Sequence, residues 1–388
     1  MGFKLKKGLA AATPAFILFL ILGFFFFNPA VQAEEEEGSE TTGEISALAA
    51  VLMDRESGRI LWERNPDQKL PMASTTKIMT ALLALELGHE TDLIVVSEKA
   101  ANTEGSSIWL EEGEEKTLEE LLYGLMLLSG NDAAVAIAEH IAGSVEAFAR
   151  LMNIKARALG AHNTHFTNPH GLPDDNHYTT ARDLALITRH ALMNERFRDI
   201  IATPEYTISW PGHPWDRIMV NQNRLLEEYP GADGVKTGWT RKAGRCFVGS
   251  ATREGWQLLV VVLNAPQMWE DAMALLDYGF HNYQKELLAE KGQYICLAEV
   301  YKGERSVNLV AAENLYYPLA AGEKAEIVSR PVLKEQIKAP LATGEPLGSL
   351  EFYLAGNMIG SVELLSGHPV ERYPVGKYLQ RLLSSYWD

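Results

Sequence analysis

Apolar and polar residues recur along the chain with two periods, one typical of strands and one typical of helices. Two strand-like runs, 47–53 and 59–64, flank the segment DRESG, which is typical of a hairpin turn. The next segment, 71–86, predicts a helix whose apolar residues from 78 to 85 cover every face. A helix that is apolar all round is buried, so we expect this one at the centre of the fold.

Further along, the pattern predicts more helices and then a return to strands. Thr117 and Glu120 form a capping box that begins one of these helices. Helices are predicted at 118–128, 132–142, 145–159, 181–193 and 268–283, and strands at 234–237, 245–252 and 256–263. This order predicts an α+β domain over residues 44–286, in which an antiparallel sheet is packed with helices.

The pattern changes after residue 288, where short runs of alternating apolar and polar residues follow one another. These runs are 294–300, 306–310, 325–329, 349–354 and 358–365, with Gly356-Asn357 as a turn signal between the last two. Short strands separated by turns predict a small all-β domain over residues 287–370.

The N-terminal segment has the order of a secretory signal peptide. Lys4, Lys6 and Lys7 precede an almost wholly apolar run at 9–27, and small residues end the segment at Ala33. We expect cleavage after Ala33 and an acidic linker over residues 34–43. The apolar run could nearly span a bilayer, so an uncleaved anchor is the alternative. Either way, the rest of the chain is expected outside the cytoplasm.

The C-terminal tail, residues 371–388, is amphipathic when drawn as a helix. One face carries the apolar residues Leu379, Leu382, Leu383 and Tyr386. A surface helix attached to the outer face of the cytoplasmic membrane is one interpretation. A terminal helix docked on the β domain is the other.

Charge and cysteine content narrow the range of functions. The 388-residue chain has a formal net charge of −16, which becomes −19 without residues 1–33 because three lysines and no acidic residues leave. Such an acidic chain argues against nucleic-acid binding. Its two cysteines, Cys246 and Cys296, form no disulfide framework or metal motif and are interpreted as small core residues.

Candidate chemistry begins with Ser74 and Lys77 at the head of the apolar helix. Residues three apart share one face of a helix, so the hydroxyl and the amine are expected to be neighbours. A serine becomes a good nucleophile only when a base removes its proton, and burial can keep a lysine neutral enough to do so. The S-x-x-K spacing alone is weak, because chance gives about one per chain of this length.

Two further segments add polar groups of the same kind. Ser129-Gly130-Asn131 lies at a break between two helices, where it is either an ordinary turn or a second hydroxyl beside a substrate-binding amide. Lys236-Thr237-Gly238 lies on a strand, where it is either a solvated edge or a cation and hydroxyl that bind a carboxylate.

Together, S-x-x-K, S-x-N and K-T-G in this order are the constellation of penicillin-binding proteins and class A β-lactamases. The chain resembles the low-molecular-mass penicillin-binding proteins, which are serine D-alanyl-D-alanine carboxypeptidases. The resemblance covers nearly all of the mature chain. It extends to the NPHGL segment at 168–172, to His177 and the residues that follow it as far as Asp183, and to Lys242-Ala-Gly244.

This resemblance implies a β-lactamase/transpeptidase-like catalytic domain and a defined reaction. Ser74 would attack the carbonyl between the last two D-alanines of a peptidoglycan stem pentapeptide, with Lys77 as its base. Ser129 would pass a proton to the leaving D-alanine. β-Lactams would acylate Ser74, and neither a cofactor nor a metal is implied.

The resemblance also implies the residues that bind the substrate. Asn131 would hold a substrate amide, Lys236 and Thr237 the terminal carboxylate, and Gly238 would leave room for the substrate backbone. Backbone N–H groups of Ser74 and Trp239 would form the oxyanion hole. Many members of the family carry an additional arginine after the strand that follows K-T-G, and this chain has Met-Trp-Glu at 268–270 instead. Either Lys236 and Thr237 suffice to bind the carboxylate, or Arg241 or Lys242 compensates.

Three other functions are compatible with parts of the sequence. A zinc peptidase is suggested by His162, His165, His170 and His177 with the acids at 174 and 175, although the spacing fits no H-E-x-x-H motif and favours a structural loop. A serine β-lactamase shares the three motifs, but no clear E-x-x-x-N segment lies between Asn131 and Lys236. A non-catalytic wall-binding protein would not need an intact Ser74 and Lys77.

Overall fold

The computed structural model describes residues 43–374 together with Gly376, Leu379 and Leu383. The predicted signal peptide, nearly all of the predicted linker and most of the predicted tail lie outside these residues. The first part of the chain contains β1 (Ala49–Asp54), β2 (Ile60–Arg64), α1 (Lys77–Leu87), β3 (Leu93–Val95), α2 (Glu98–Ala101), β4 (Glu115–Thr117), α3 (Leu118–Leu127), α4 (Asn131–Ala142) and α5 (Val145–Ala158).

More helices follow, and then the strands that complete the main sheet. These elements are α6 (Ala181–Ala191), α7 (Glu195–Ala202), β5 (Glu205–Ile208), β6 (Arg217–Val220), α8 (Leu225–Glu228), β7 (Ala232–Thr240), β8 (Gly244–Arg253), β9 (Trp256–Leu263) and α9 (Met268–Asn282). The predicted α+β arrangement is confirmed, and the five helices predicted after residue 117 have ends within two residues of those expected.

The main sheet is antiparallel, with strand order β2-β1-β9-β8-β7. Every residue of β1 and β9 is buried, because helices cover both faces of the sheet. Alternate residues of each strand face opposite sides of the sheet. Val51 and Val261 pack against α1 and its neighbours on one side, and Leu52 and Val260 pack against α9 on the other. The edge strand β7 contacts the turn that precedes α1, which brings the K-T-G segment to the S-x-x-K segment.

The C-terminal part is built from strands, as the pattern predicts. Its elements are β10 (Tyr283–Ala289), β11 (Tyr294–Ala298), β12 (Val307–Ala311), β13 (Leu315–Ala320), β14 (Val328–Leu333), β15 (Pro346–Leu354) and β16 (Asn357–Ser366). A five-stranded sheet has the order β11-β12-β16-β15-β14, and β10 pairs with β13. These strands enclose their own apolar core.

Several short or irregular strands differ from the prediction. The predicted strand at 325–329 is wrong in its first half, since a 3-10 turn at Glu323–Glu326, preceded by Gly322 at φ 85°, covers residues 325 and 326 and β14 begins at Val328. β10 was not predicted because it continues directly from α9, and Pro318 weakens the strand pattern of β13. β3 to β6 have only three or four residues each, too few to show alternation.

Arg59 is one of several side chains that connect the two parts of the molecule. Arg59 donates hydrogen bonds to the Glu323 carboxylate at 2.5 and 2.7 Å and to the Pro318 carbonyl at 2.6 Å. Its guanidinium also lies over the rings of Tyr283 and Tyr317. Among the described residues, no helix combines the length and hydropathy needed to cross a bilayer.

Candidate active site

Ser74 lies in a 3-10 turn, Ala73–Thr76, that leads directly into α1. The prediction of a regular helix over 71–86 is therefore wrong in its first turn, because Ala73 has φ 50°. Gly171 packs so closely that a Cβ added there would lie 1.8 Å from the Ala73 carbonyl oxygen. Tertiary contact with this glycine thus shapes the backbone around the serine.

Lys77 is completely buried at the first position of α1. Its Nζ lies 3.1 Å from Ser74 Oγ, 2.7 Å from Asn131 Oδ1 and 2.9 Å from the carbonyl oxygen of His170. Burial lowers the pKa of Lys77 well below its ordinary value, and the nearby charge of Lys236 lowers it further. The amine is therefore biased toward its neutral form.

Ser129 and Asn131 lie where α3 gives way to α4. Ser129 is buried in the left-handed region at φ 62°, and its Oγ has no hydrogen-bond partner in the part of the chain that the structure describes. Asn131 uses both ends of its amide, since Oδ1 accepts from Lys77 while Nδ2 donates to the Glu104 carbonyl at 2.6 Å. One N–H of Nδ2 remains for another acceptor.

The segment Lys236-Thr237-Gly238 lies on the edge strand β7. Burial lowers the pKa of Lys236 to about 7, and its Nζ lies 3.2 Å from the Thr237 carbonyl oxygen. A Cβ on Gly238 would lie 3.0 Å from Ser74 N, so the absence of a side chain permits the close approach of β7. Trp239 is 66% exposed at the end of this segment.

The structure thus brings Ser74, Lys77 and Asn131 into one hydrogen-bonded group. Lys236 is near enough for its charge to act on Lys77, and Gly238 abuts Ser74. Thr237 and Trp239 lie on the same strand, and no hydrogen bond joins either residue to Ser74 within the described part of the chain. The predicted residues therefore lie on the turn before α1, the α3–α4 junction and β7, and we call the region that these three segments border the active-site cleft.

Sequence reasoning missed the groups that hold this cleft in shape. Asp132 accepts hydrogen bonds from Ser107 Oγ and from the backbone N–H groups of Ile108 and Leu110. The Ser106 carbonyl in the same loop accepts from Asn131 N at 2.7 Å. The loop lacks periodicity, and backbone acceptors leave no signature in a sequence. The one indication in the sequence is Asp132, an acidic residue that directly follows the S-x-N motif.

The histidine-rich loop supports the nucleophile turn. Thr167 N donates to His177 Nδ1, so His177 Nε2 carries the proton and donates to Thr76 Oγ1, which in turn donates to the Ala73 carbonyl. Burial lowers the pKa of His177 to about 4 and that of His170 to about 3, which keeps both rings neutral. In residues 43–374, no three potential metal ligands of the His, Cys, Asp or Glu type converge.

Three cations near β7 could compensate for the missing arginine. Lys242 is paired with Asp175 at 2.5 Å, and no hydrogen bond or ion pair is found for the Arg241 side chain in the described part of the chain. Arg245 lies on β8 directly opposite Trp239, which makes it the diagonal neighbour of Thr237. Its Nη1 donates to the Pro266 carbonyl at 3.1 Å. The sequence alone does not point to Arg245, because strand register decides its position.

Comparison with known proteins identifies the family. A family model described as D-alanyl-D-alanine carboxypeptidase matches residues 33–267, and a model of the C-terminal domain of penicillin-binding protein 5 matches residues 283–372. D-alanyl-D-alanine carboxypeptidase DacF of Bacillus subtilis is 33% identical over 381 residues, which cover 95% of this chain and 97% of that protein.

Solved structures agree with the sequence relatives. Penicillin-binding protein 5 of Haemophilus influenzae has a TM-score of 0.71 and 34% identity, covering 86% of this chain and all of that one. The peptidoglycan synthesis regulatory factor PBP3 of Streptococcus pneumoniae has a TM-score of 0.75 and 27% identity, covering 84% of this chain and all of that one. The chain therefore belongs to the family of D-alanyl-D-alanine carboxypeptidases and is a peptidase of the penicillin-binding protein type.

Proposed function

We propose that this D-alanyl-D-alanine carboxypeptidase uses Ser74 as its nucleophile and Lys77 as the base that activates it. The surroundings of Lys77 Nζ carry this proposal. A neutral amine has two N–H groups and one lone pair, and its three oxygen neighbours differ in what they can do. Asn131 Oδ1 and the His170 carbonyl can only accept, whereas the Ser74 hydroxyl can also donate.

The hydrogen-bond partners of Lys77 Nζ therefore indicate which of its three neighbours the lone pair faces. Its two N–H groups satisfy Asn131 and His170, and the lone pair then faces Ser74 Oγ at 3.1 Å. Removal of the hydroxyl proton generates the alkoxide that attacks the carbonyl carbon of the terminal peptide bond. Ser74 lies in the first turn of its helix, where backbone N–H groups lack intrahelical partners, and with Trp239 N it would stabilise the oxyanion.

Ser129 and Lys236 are proposed to handle the leaving group. The Ser129 hydroxyl has no partner within the described residues, so it is free to bind the nitrogen of the leaving D-alanine. A proton passes from Lys77 through Ser129 to that nitrogen as the C–N bond breaks. Water then attacks the acyl-enzyme, Lys77 accepts a proton from it, and Ser74 is regenerated.

The terminal carboxylate of the substrate is proposed to bind along β7. Charged Lys236 and the Thr237 hydroxyl supply two contacts, and Arg245 supplies a third from the neighbouring strand. Support for Arg245 comes from its register, because diagonal neighbours across two strands lie within reach of a long side chain. Lys242 is a weaker candidate because it is already paired with Asp175.

The decisive experiment is intact mass spectrometry of the protein after incubation with penicillin, followed by peptide mapping of the adduct. We expect one acyl group on Ser74 that is released slowly, and release of D-alanine from a stem pentapeptide. Ser74→Ala should abolish both, whereas Ser361→Ala, an exposed serine of β16, should change neither. A label elsewhere would refute the nucleophile, and rapid penicillin turnover would favour a β-lactamase.

We further propose that the enzyme works outside the cytoplasm, attached to the outer face of the cytoplasmic membrane by residues 371–388. The support is the signal-like N-terminal pattern and the apolar face of the tail, of which Leu379 and Leu383 are 54% and 62% exposed. The double variant Leu379→Glu/Leu383→Glu should lose co-sedimentation with anionic lipid vesicles. Leu297→Glu, equally exposed on β11, is the control and should retain it.

A further inference from the structure

Exposed aromatic rings form a surface beside the active-site cleft that the chemistry above does not use. We define this aromatic platform as Trp109, Trp210, His213 and Trp215. The rings of Trp210 and His213 lie 4.2 Å apart, and those of His213 and Trp215 lie 6.0 Å apart. Trp109 and Trp215 are each 62% exposed, which is unusual for two large apolar side chains.

Buried charges hold the platform in place. The Arg217 guanidinium lies over the Trp210 ring at 4.4 Å and donates to the Trp109 carbonyl at 2.7 Å, so it joins the two tryptophans. Arg217 is itself buried and paired with Glu114. Glu111 accepts from both Trp210 Nε1 at 3.1 Å and His213 Nε2 at 3.0 Å. The rings of Trp210 and His213 are therefore preorganised, and the backbone of Trp109 is fixed beside them.

The platform is continuous with the active site. Trp109 lies three residues after Ser106, whose carbonyl oxygen accepts from Asn131 N. Three residues of extended chain span at most about 11 Å, so the platform begins within that distance of the α3–α4 junction. It then continues outward through Trp210 and His213 to Trp215.

The negative charge of the exposed side chains around the platform disfavours an anionic ligand. Glu111 and Glu112 are exposed here, while the cations at hand, Arg217 and Lys116, are buried and paired with Glu114. An aromatic surface edged by carboxylate oxygens suits a neutral ring that has apolar C–H faces and hydroxyl or amide groups at its rim. A pyranose of an N-acetylated amino sugar has this chemistry.

The length of the stem peptide indicates which part of the substrate can reach the platform. Four residues separate the scissile bond of a stem pentapeptide from the sugar that carries it, and their extended length is about 14 Å. A stem that is bound at Ser74 and Asn131 is therefore long enough for its sugar to reach the Trp109 end of the platform. The third stem residue lies only one residue from the acyl position, so its main chain stays closer to Ser74 than the sugar does.

We propose that the aromatic platform binds the amino sugar of the glycan strand to which the stem peptide is attached. The inference rests on the proposed position of the stem peptide in the cleft. It makes Trp215 a specificity-determining residue that favours stem peptides still joined to glycan over free peptides. Trp215 takes no part in bond breaking.

The test compares D-alanine release from a free stem pentapeptide with release from the same pentapeptide on its N-acetylated disaccharide. The ratio of the two kcat/KM values is the measurement. We expect the wild-type ratio to favour the disaccharide form about tenfold, and Trp215→Ala to bring it close to one. Trp215→Phe retains a ring and should retain most of the preference. Tyr294→Ala, an exposed aromatic of β11, is the control and should keep the wild-type ratio.

Other outcomes separate the possible errors. A wild-type ratio near one, or a ratio that survives Trp215→Ala, overturns the glycan subsite while leaving the carboxypeptidase assignment intact. The platform could instead bind the side-chain amine of the third stem residue. In that case acetylation of this amine would lower kcat/KM, whereas the disaccharide would not change it, and the glycan subsite would be overturned. No D-alanine from either substrate would overturn the proposed function as well.

Discussion

Lys77 and Lys236 place two amines in a small volume from which water is excluded. Burial disfavours the charge of each, and the charge of Lys236 further disfavours that of Lys77. The charge of Lys236 lowers the pKa of Lys77, so a neutral Lys77 beside a charged Lys236 is the favoured arrangement of the pair. In the proposed mechanism the two amines therefore take opposite tasks, one as a base and one as a cation.

Replacing Lys77 with arginine separates charge from basicity. A guanidinium does not give up its proton, so Lys77→Arg should slow acylation by penicillin by about 10²–10⁴-fold although a cation is retained. Stopped-flow acylation measures this rate. Lys77→Met, of similar length but without a base, should be equally slow. Acylation at the wild-type rate by either correctly folded variant would contradict the assignment of the base.

The pH dependence of kcat/KM should be bell-shaped. Activity falls on the acid side as Lys77 gains a proton and loses its lone pair, at a pH below the ordinary lysine pKa. It falls on the alkaline side as Lys236, with pKa about 7 in the free enzyme, loses the charge that binds the carboxylate. In Lys236→Arg the alkaline limb should disappear. An unchanged limb in that variant would refute the role of Lys236.

The turn before α1 shows how one element is shaped by another. Ala73 adopts φ 50° against the backbone of Gly171, and the His177–Thr76 hydrogen bond closes the same contact. Neither feature belongs to the local sequence of 71–86, which predicts a plain helix. The serine is therefore positioned by a loop almost a hundred residues further along the chain.

Gly171→Ala tests this dependence. The new Cβ would meet the Ala73 carbonyl oxygen, and φ 91° adds strain, so we expect a loss of at least about 2 kcal/mol in unfolding free energy together with slower acylation. Gly160→Ala is a matched control, because φ is 83° there and nothing lies within 4 Å of the new Cβ. If both variants lose the same stability and acylate at the wild-type rate, contact with Ala73 is unimportant.

Elements with a strong local signal could be predicted from the sequence. The capping box of Thr117 and Glu120 begins α3 as expected, and the apolar run of β9 gives a central strand. Of the motif residues, Ser74 and Asn131 both lie within hydrogen-bond distance of Lys77 Nζ. What could not be predicted depends on tertiary contact, such as the loop held by Asp132 and the position of Arg245 across from Trp239.

At the scale of the whole molecule, Arg59 is the clearest link between the catalytic sheet and the C-terminal strands. It is anchored by Glu323 and Pro318 and flanked by two tyrosine rings. A forked guanidinium can satisfy all these partners at once, which an ammonium cannot. The two parts are thus expected to unfold together in the native chain.

Arg59→Ala should weaken this coupling. We expect a loss of about 1–2 kcal/mol in unfolding free energy and two resolved transitions in differential scanning calorimetry where the native chain shows one. Arg59→Lys keeps the charge but not the fork and should lie between the two. A single transition in Arg59→Ala at the native temperature would show that the link contributes nothing to cooperativity.

Ser129 carries a consequence for any attempt to engineer this enzyme. Its left-handed backbone costs about 1–2 kcal/mol for a residue with a Cβ, and its buried hydroxyl is left without a partner. Glycine would relieve both penalties at once. Directed evolution for thermal stability alone is therefore expected to enrich Ser129→Gly. The more stable variant would lack the hydroxyl that we propose as the proton relay. A selection scheme must therefore screen for catalytic turnover as well as thermal stability, because the two have opposite requirements at this position.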